Sequence, residues 1–169
     1  MRSWLPWLAA VAVIAADRVS KGLILANLEP GGWREVVPGL ALTHVHNRGI
    51  AFSMFSGGGN LTRVLLHLVI FTSVVVIAAL LVRHGHQSRL AGFSFGLILG
   101  GAIGNLIDRV LYGWVIDFVH VWARIGDRVW SWPDFNVADA SITVGAVLLI
   151  LSELRNSRRA EPDDAPDTD

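Results

Sequence analysis

Two aspartates, Asp117 and Asp139, stand in short apolar stretches, Val115-Ile116-Asp117-Phe118-Val119 and Phe135-Asn136-Val137-Ala138-Asp139, with no cation within helical reach. Two carboxylates facing one another in an apolar pocket cannot both ionise easily, so one keeps a proton and the pair titrates as a unit. Such a pair is acid and base in one site. The ionised member takes a proton from a water attacking an amide, while the protonated member hydrogen-bonds the carbonyl oxygen and later protonates the departing nitrogen. Asp17, Lys21, Asp108 and Arg109 also lie within or beside long apolar runs. A charge at mid-membrane costs about 2.5 to 3.5 kcal/mol on insertion scales, so each of these requires a partner. Asp17 and Lys21 are four apart, Asn105 lies three and four before Asp108 and Arg109, and Asn136 lies three before Asp139, so each set shares one helical face. With an opposite charge near each of them, Asp17, Lys21, Asp108 and Arg109 suit a structural role in holding helices together.

The elements that must carry these groups are membrane spans. The 169-residue chain is 53% hydrophobic and only 17% charged, against about 25% charged for a typical soluble domain. Four stretches approach the roughly 20 apolar residues that cross a bilayer: 4–28, 61–82, 90–111 and 137–154. The expected fold is therefore a membrane all-α, four-transmembrane-helix bundle, one domain over residues 1–155, with a disordered acidic tail at 156–169. Met1 to Ala16 also has the form of a cleavable leader, but apolar sequence resumes at Gly22 to Leu28 and favours a retained anchor. Arginine density at Arg83, Arg89, Arg155, Arg158 and Arg159 puts both termini in the cytoplasm. The connector Glu29 to Asn60, with alternating Leu40, Leu42, His44 and His46 broken by Pro38, Gly39 and Gly57 to Gly59, predicts a small extracytoplasmic β-sheet resting on the membrane surface. The tryptophans of the two outer connectors fit the headgroup level, and the stretch from Trp114 to Trp132 is expected to form a lid over the dyad.

Chain direction gathers the polar groups. Spans one and three run outward with their polar residues in the outer half, and span four runs inward with its pair at the start, so all three clusters, together with Asn47, Arg48 and Asp117, meet at one leaflet. Gly92, Gly96, Gly100 and Gly104 share one helical face and permit close approach by a neighbour. Gly92-Phe93-Ser94-Phe95-Gly96 matches a serine nucleophile elbow, but that device needs a strand-to-helix turn and this segment is helical throughout.

Other chemistry is disfavoured. Fourteen basic residues balance fourteen acidic ones, leaving no field for nucleic acid, and the absence of cysteine removes disulfides, thiolate metal sites and a cysteine nucleophile. His44 and His46 with His120 could form a metal site, although alternate strand residues commonly face one side. A proton-coupled transporter using Asp17, Asp108 and Asp139 is the main rival from another class, but no internal repeat or broken helix pair is visible.

Five segments in order, Asp17-Arg18-Val19-Ser20-Lys21, Asn47-Arg48-Gly49-Ile50-Ala51-Phe52, Gly100-Gly101-Ala102-Ile103-Gly104-Asn105-Leu106-Ile107-Asp108-Arg109, Val115-Ile116-Asp117-Phe118 and Phe135-Asn136-Val137-Ala138-Asp139, give the chain its family character. It strongly resembles the lipoprotein signal peptidase (signal peptidase II) family, the integral-membrane aspartyl proteases of bacteria. The resemblance implies a catalytic pair at Asp117 and Asp139, a substrate-binding and supporting shell of Asn47, Gly49, Asn105, Arg109 and Asn136, and structural support from Asp17, Lys21 and Asp108. It implies cleavage of diacylglyceryl-modified prolipoproteins on the amino side of the lipidated cysteine, at the outer face of the cytoplasmic (inner) membrane, with membrane lipid as the surroundings, by a monomer needing no metal or organic cofactor. Two departures concern the substrate-side loops: Ile50 stands where the family usually has a small residue, and the connector Val119 to Pro133, with Arg124, Asp127 and Arg128, is longer than in some relatives.

Overall fold

The computed structural model describes residues 4–49, 60–85 and 88–160. Met1 and Arg2, the Ile50-Ala51-Phe52 part of the second motif, Gly57 to Gly59 and the acidic segment Glu161 to Asp169 lie outside the described residues. In chain order the elements are α1 (Leu5–Asn27), β1 (Trp33–Val37), β2 (Leu40–Asn47), α2 (Asn60–His84), α3 (Arg89–Tyr112), β3 (Val115–Ile125), β4 (Arg128–Ser131) and α4 (Val137–Ala160).

α3 is the central helix, packed against α1, α2 and α4. Its glycines explain why. A Cβ on Gly100 would stand 2.7 Å from the Ala10 carbonyl of α1, and one on Gly101 would stand 2.4 Å from the Ala138 carbonyl of α4. Only hydrogen fits at either point, so α3 accepts a helix backbone on each side. α3 and Val137–Ser157 of α4 are long and apolar enough to cross a membrane, each with a mean hydropathy of 1.8. α1 is as long but carries Asp17, Arg18 and Lys21, and a count of charges cannot register that they are paired internally. The bundle is polar inside and apolar outside: Asp17, Lys21 and Asp108 are buried, while Leu8, Val11, Leu23, Val76, Val147 and Ile150 are exposed. Water would oppose that distribution; lipid accommodates it.

The sheet is larger than the sequence suggested. β1-β2-β3-β4 form one antiparallel four-stranded sheet, so the second connector, expected as a lid, supplies two strands of it. Gly113, at φ 80°, ends α3 with its N–H on the Arg109 carbonyl and turns the chain directly into β3, which places Asp117 at the mouth of the bundle. The β2–β3 pairing shifts between Leu42 and Val45. This irregularity turns both Thr43 and His44 inward, so the expected strict alternation of β2 breaks at that point. At the other end of the chain, α4 continues to Ala160, making 156–160 helical where a disordered tail was expected.

Candidate active site

Lys21 is 1% exposed, and its ammonium meets three acceptors: Asp17 Oδ2 at 2.8 Å, Asp108 Oδ2 at 2.7 Å and Asn105 Oδ1 at 3.1 Å. The two carboxylate contacts are ion pairs and the Asn105 contact is a hydrogen bond, so the buried ammonium is compensated from both helices. Arg18 pairs with Asp108 and lies 3.7 Å from Asp17. Two cations therefore neutralise two anions between α1 and α3. The same carboxylates reach further: Asp17 Oδ1 accepts the Ala138 backbone N–H at 3.1 Å, and Asp108 Oδ2 accepts that of Ile116 at 3.2 Å. An otherwise unpaired N–H in the first turn of α4 and the start of β3 are thereby fixed to the charged cluster. The Asp17–Lys21 pair is the one the spacing anticipated. The partners of Asp108 lie across the helix interface instead, and Arg18, which sequence reasoning left without a role, is one of them. No spacing rule links residues on two helices, so only the burial of Asp108 beside α1 could have exposed it.

Asp117 and Asp139 share a second network, built mainly from amides. Asn136 Nδ2 donates to Asp117 Oδ1 at 2.7 Å, to Asn105 Oδ1 at 3.2 Å and to the Ile116 carbonyl at 3.3 Å. Asn47 Nδ2 donates to Asp117 Oδ2 at 2.9 Å, and Asn105 Nδ2 to Asp139 Oδ1 at 2.7 Å. Asn136 is also the cap of α4. Its Oδ1 accepts the Asp139 N–H at 2.9 Å while Asp139 Oδ2 accepts the Asn136 N–H at 3.3 Å. This reciprocal capping box fixes the Asp139 carboxyl by the same bonds that start the helix. The Arg109 guanidinium donates to the carbonyls of Gly49 at 2.9 Å and Asn105 at 3.3 Å, and the Gly49 N–H donates to Asn47 Oδ1 at 3.0 Å. All ten site residues read from the sequence thus lie in one connected set of contacts.

Burial pushes the Asp117 carboxyl up from its usual 3.8 to about 7, and the charge of Asp139 adds to the effect. Hydrogen bonds from Asn47 and Asn136, and Lys21 at longer range, work against that rise without cancelling it. The two aspartates line one cavity of about 510 Å³. Its polar side includes Asn47, Asn105, Arg109 and Asp134; its apolar side comes from the helices, through Ile70 and Ile77 of α2, Ile98 and Ala102 of α3 and Ile142 of α4. Ser73 and Thr143 also line it, but their hydroxyls donate to the carbonyls of Val69 and Asp139 within their own helices. That wall is consequently apolar in effect.

The remaining candidates are placed elsewhere. Ser94 is buried within α3 and donates to the Leu90 carbonyl at 2.7 Å, inside a helix and not on an elbow. His44 and His46 touch through their Nε2 atoms at 3.1 Å, but His44 Nδ1 faces the Leu28 carbonyl and His120 faces Asp134. Among the described residues no three histidines, aspartates or glutamates are grouped to hold a metal ion. Asp134 went unnoticed in the sequence because its partners, Thr43 and His120, are on other strands.

A pair of aspartates held by asparagines at the mouth of a helical bundle can be compared with known proteins. The family model for signal peptidase (SPase) II matches residues 9–155. The chain belongs to the signal peptidase II family. Among relatives in that family, a lipoprotein signal peptidase of Burkholderia thailandensis is 46% identical over 158 residues, covering 92% of this chain and 91% of that protein. One from Burkholderia cenocepacia is 45% identical, with the same coverage of each. Two solved structures, each described as a bacterial membrane enzyme studied by the in meso method, share the fold. The first has a TM-score of 0.80 at 28% identity and covers 95% of this chain and 93% of its own. The second has a TM-score of 0.74 at 30% identity, with 88% and 92% covered. The signal peptidase II match runs from α1 through most of α4 and so includes every site residue described above.

Proposed function

We propose that this member of the signal peptidase II family removes signal peptides from prolipoproteins with Asp117 and Asp139 as its catalytic pair, cutting on the amino side of a diacylglyceryl-modified cysteine. The observation that carries this reading is the position of Asn136, which donates to the Asp117 carboxyl through its side chain and to Asp139 through its backbone. One residue holds both carboxyls to the same cavity.

Asp117, with its carboxyl raised to about 7, is the member that retains a proton. Asp139 sits in the first turn of α4, where the helix dipole favours negative charge, and acts as the base. A water placed between them loses a proton to Asp139 as its oxygen adds to the scissile carbonyl. The Asp117 O–H donates to the carbonyl oxygen in that step, and its proton passes to the amide nitrogen as the carbon–nitrogen bond breaks. Asp139 then holds the proton taken from water, so the pair ends with one proton, as it began. Arg109 balances the remaining negative charge and, through Gly49 and Asn105, keeps β2 and α3 in register around the pair.

The placement suits the substrate. The apolar helix-lined side of the cavity accommodates the lipid and signal peptide, and the polar side brings water to the bond. We place all four helices across the membrane, both termini in the cytoplasm and the sheet at the outer face, with a single chain as the working unit, a reading supported by the ten site residues coming from one chain. The test is a prolipoprotein cleavage assay on Asp117→Asn and Asp139→Asn. Each variant accumulates in the membrane at the wild-type level and fails to process; near-normal cleavage by either removes the dyad.

A further inference from the structure

Asp134 is the one carboxylate lining the cavity that the proposed chemistry does not use. Its Oδ1 is fully engaged, accepting from His120 Nδ1 at 2.7 Å and from Thr43 Oγ1 at 3.2 Å. The His120 ring is backed in turn by Trp33 of β1, with centroids 4.8 Å apart. Three strands therefore hold one oxygen of Asp134. Its Oδ2 has no partner among the described residues, although the side chain is only 21% exposed and lines the cavity.

The position of that oxygen follows from the elements around it. Asp134 lies between β4 and α4, in a segment paired to β3 through mutual hydrogen bonds of Phe135 and Val119 at 2.8 and 3.1 Å. It is thus on the sheet side of the cavity, away from the isoleucines of α2, α3 and α4. A lipidated substrate places its lipid and signal peptide against those helices and leaves toward water past the sheet. Among the described residues lining the cavity, Asp134 and a singly protonated dyad face one cation, Arg109, with His120 set against the other oxygen of Asp134. A carboxylate oxygen without a partner among the described residues favours a donor there and disfavours another anion.

We propose that Asp134 is a specificity-determining residue, accepting a hydrogen bond or cation from the mature side of the substrate just after the lipidated cysteine. The proposal rests on the proteolytic reading above and adds a preference that reading does not require. His120 and Thr43 are positioning residues, which aim Oδ2 by occupying Oδ1.

The experiment uses the full-length protein in detergent or lipid nanodiscs and two synthetic diacylglyceryl-cysteine peptides that differ only in Lys or Glu at the residue following the cysteine. The wild type cleaves the Lys peptide with a kcat/KM about tenfold above that of the Glu peptide, a difference of the size expected for one attractive against one repulsive contact in a partly buried site. Asp134→Asn keeps the acceptor for Thr43 and His120 but abolishes the charge, and brings the ratio close to one through KM, with kcat little changed. Asp134→Lys inverts the ratio. His120→Ala frees Oδ1, releases the aim of Oδ2 and lowers the ratio toward one without inverting it. Equal cleavage of the two peptides by the wild type, or an unchanged preference in Asp134→Asn, overturns the proposal while leaving the dyad standing. No cleavage of either peptide by the wild type removes the proteolytic reading and this proposal together.

Discussion

Two pairs of aspartates sit in adjoining networks and are treated differently, with Asp17, Asp108 and Asp117 buried and Asp139 half-buried. Asp17 and Asp108 are neutralised by Lys21 and Arg18, oxygen against ammonium and guanidinium. Asp117 and Asp139 receive their short hydrogen bonds from Asn47, Asn105 and Asn136. Cations compensate charge, whereas amides supply orientation without removing the need for a proton. The first pair is therefore a charge-balanced cluster, and in the proposed reaction the second keeps one proton available for transfer. Lys21 and Asn105 touch, at 3.1 Å, so the charge-balanced cluster also positions the amide that holds Asp139.

The sharpest way to break the contrast is to neutralise one member of each pair. Asp117→Asn or Asp139→Asn removes a proton-transfer group and lowers kcat by about 10³-fold or more, read as processed lipoprotein per unit enzyme, with thermal stability in detergent maintained. Lys21→Met does the opposite in order of cause. It leaves Asp17 and Asp108 facing Arg18 alone, and breaking a buried ionic cluster by removing one partner costs about 3 to 5 kcal/mol. A large fall in the thermal midpoint is expected, with activity lost because Asn105 is released. If Lys21→Met unfolds at the wild-type temperature while Asp117→Asn collapses, the roles assigned to the two pairs are reversed.

How far the sequence carried these assignments depends on the kind of contact. Local periodicity was sufficient for the helices, for the glycine face of α3 and for Asp17 with Lys21, because the interacting atoms are three or four residues apart. Asp17, Lys21, Asp108, Arg109 and Asp139 stood out for another reason, because charged groups in apolar runs are costly enough to require a purpose, whereas Gly49 entered only with the family resemblance. What could not be read is pairing between elements. Arg18 with Asp108, and Asp134 with His120 and Thr43, join residues 90, 14 and 91 positions apart. The joining of both connectors into one sheet escaped for the same reason, since β2 and β3 are separated by α2 and α3. The shift in the β2–β3 register, which turns His44 inward next to Thr43, has no signature in an alternating run.

The pH dependence tests the amide-held pair directly. The folded Asp117 carboxyl sits at about 7, above its ordinary 3.8, so folding favours its neutral form. Its contribution to stability is complete below about pH 4 and is lost as pH rises through about 7. Wild type therefore loses thermal stability relative to Asp117→Asn between those limits, and its kcat/KM declines above about pH 7 as the acid is deprotonated.

The smallest expected effect discriminates most finely. Asn47 donates to Asp117 Oδ2 at 2.9 Å and pulls its pKa down, because the bond favours the ionised form. Asn47→Ala removes that donor but leaves the Asn136 bond and the burial. The alkaline midpoint of the kcat/KM profile then moves upward, by less than about 1 pH unit for one hydrogen bond to a charged group in a partly hydrated site. An upward shift with the acid limb unchanged means that Asn47 tunes a proton held at Asp117. A midpoint that stays in place, with only the amplitude reduced, means that Asn47 merely supports the strand, and the proton on which the mechanism depends is then held elsewhere in the pair.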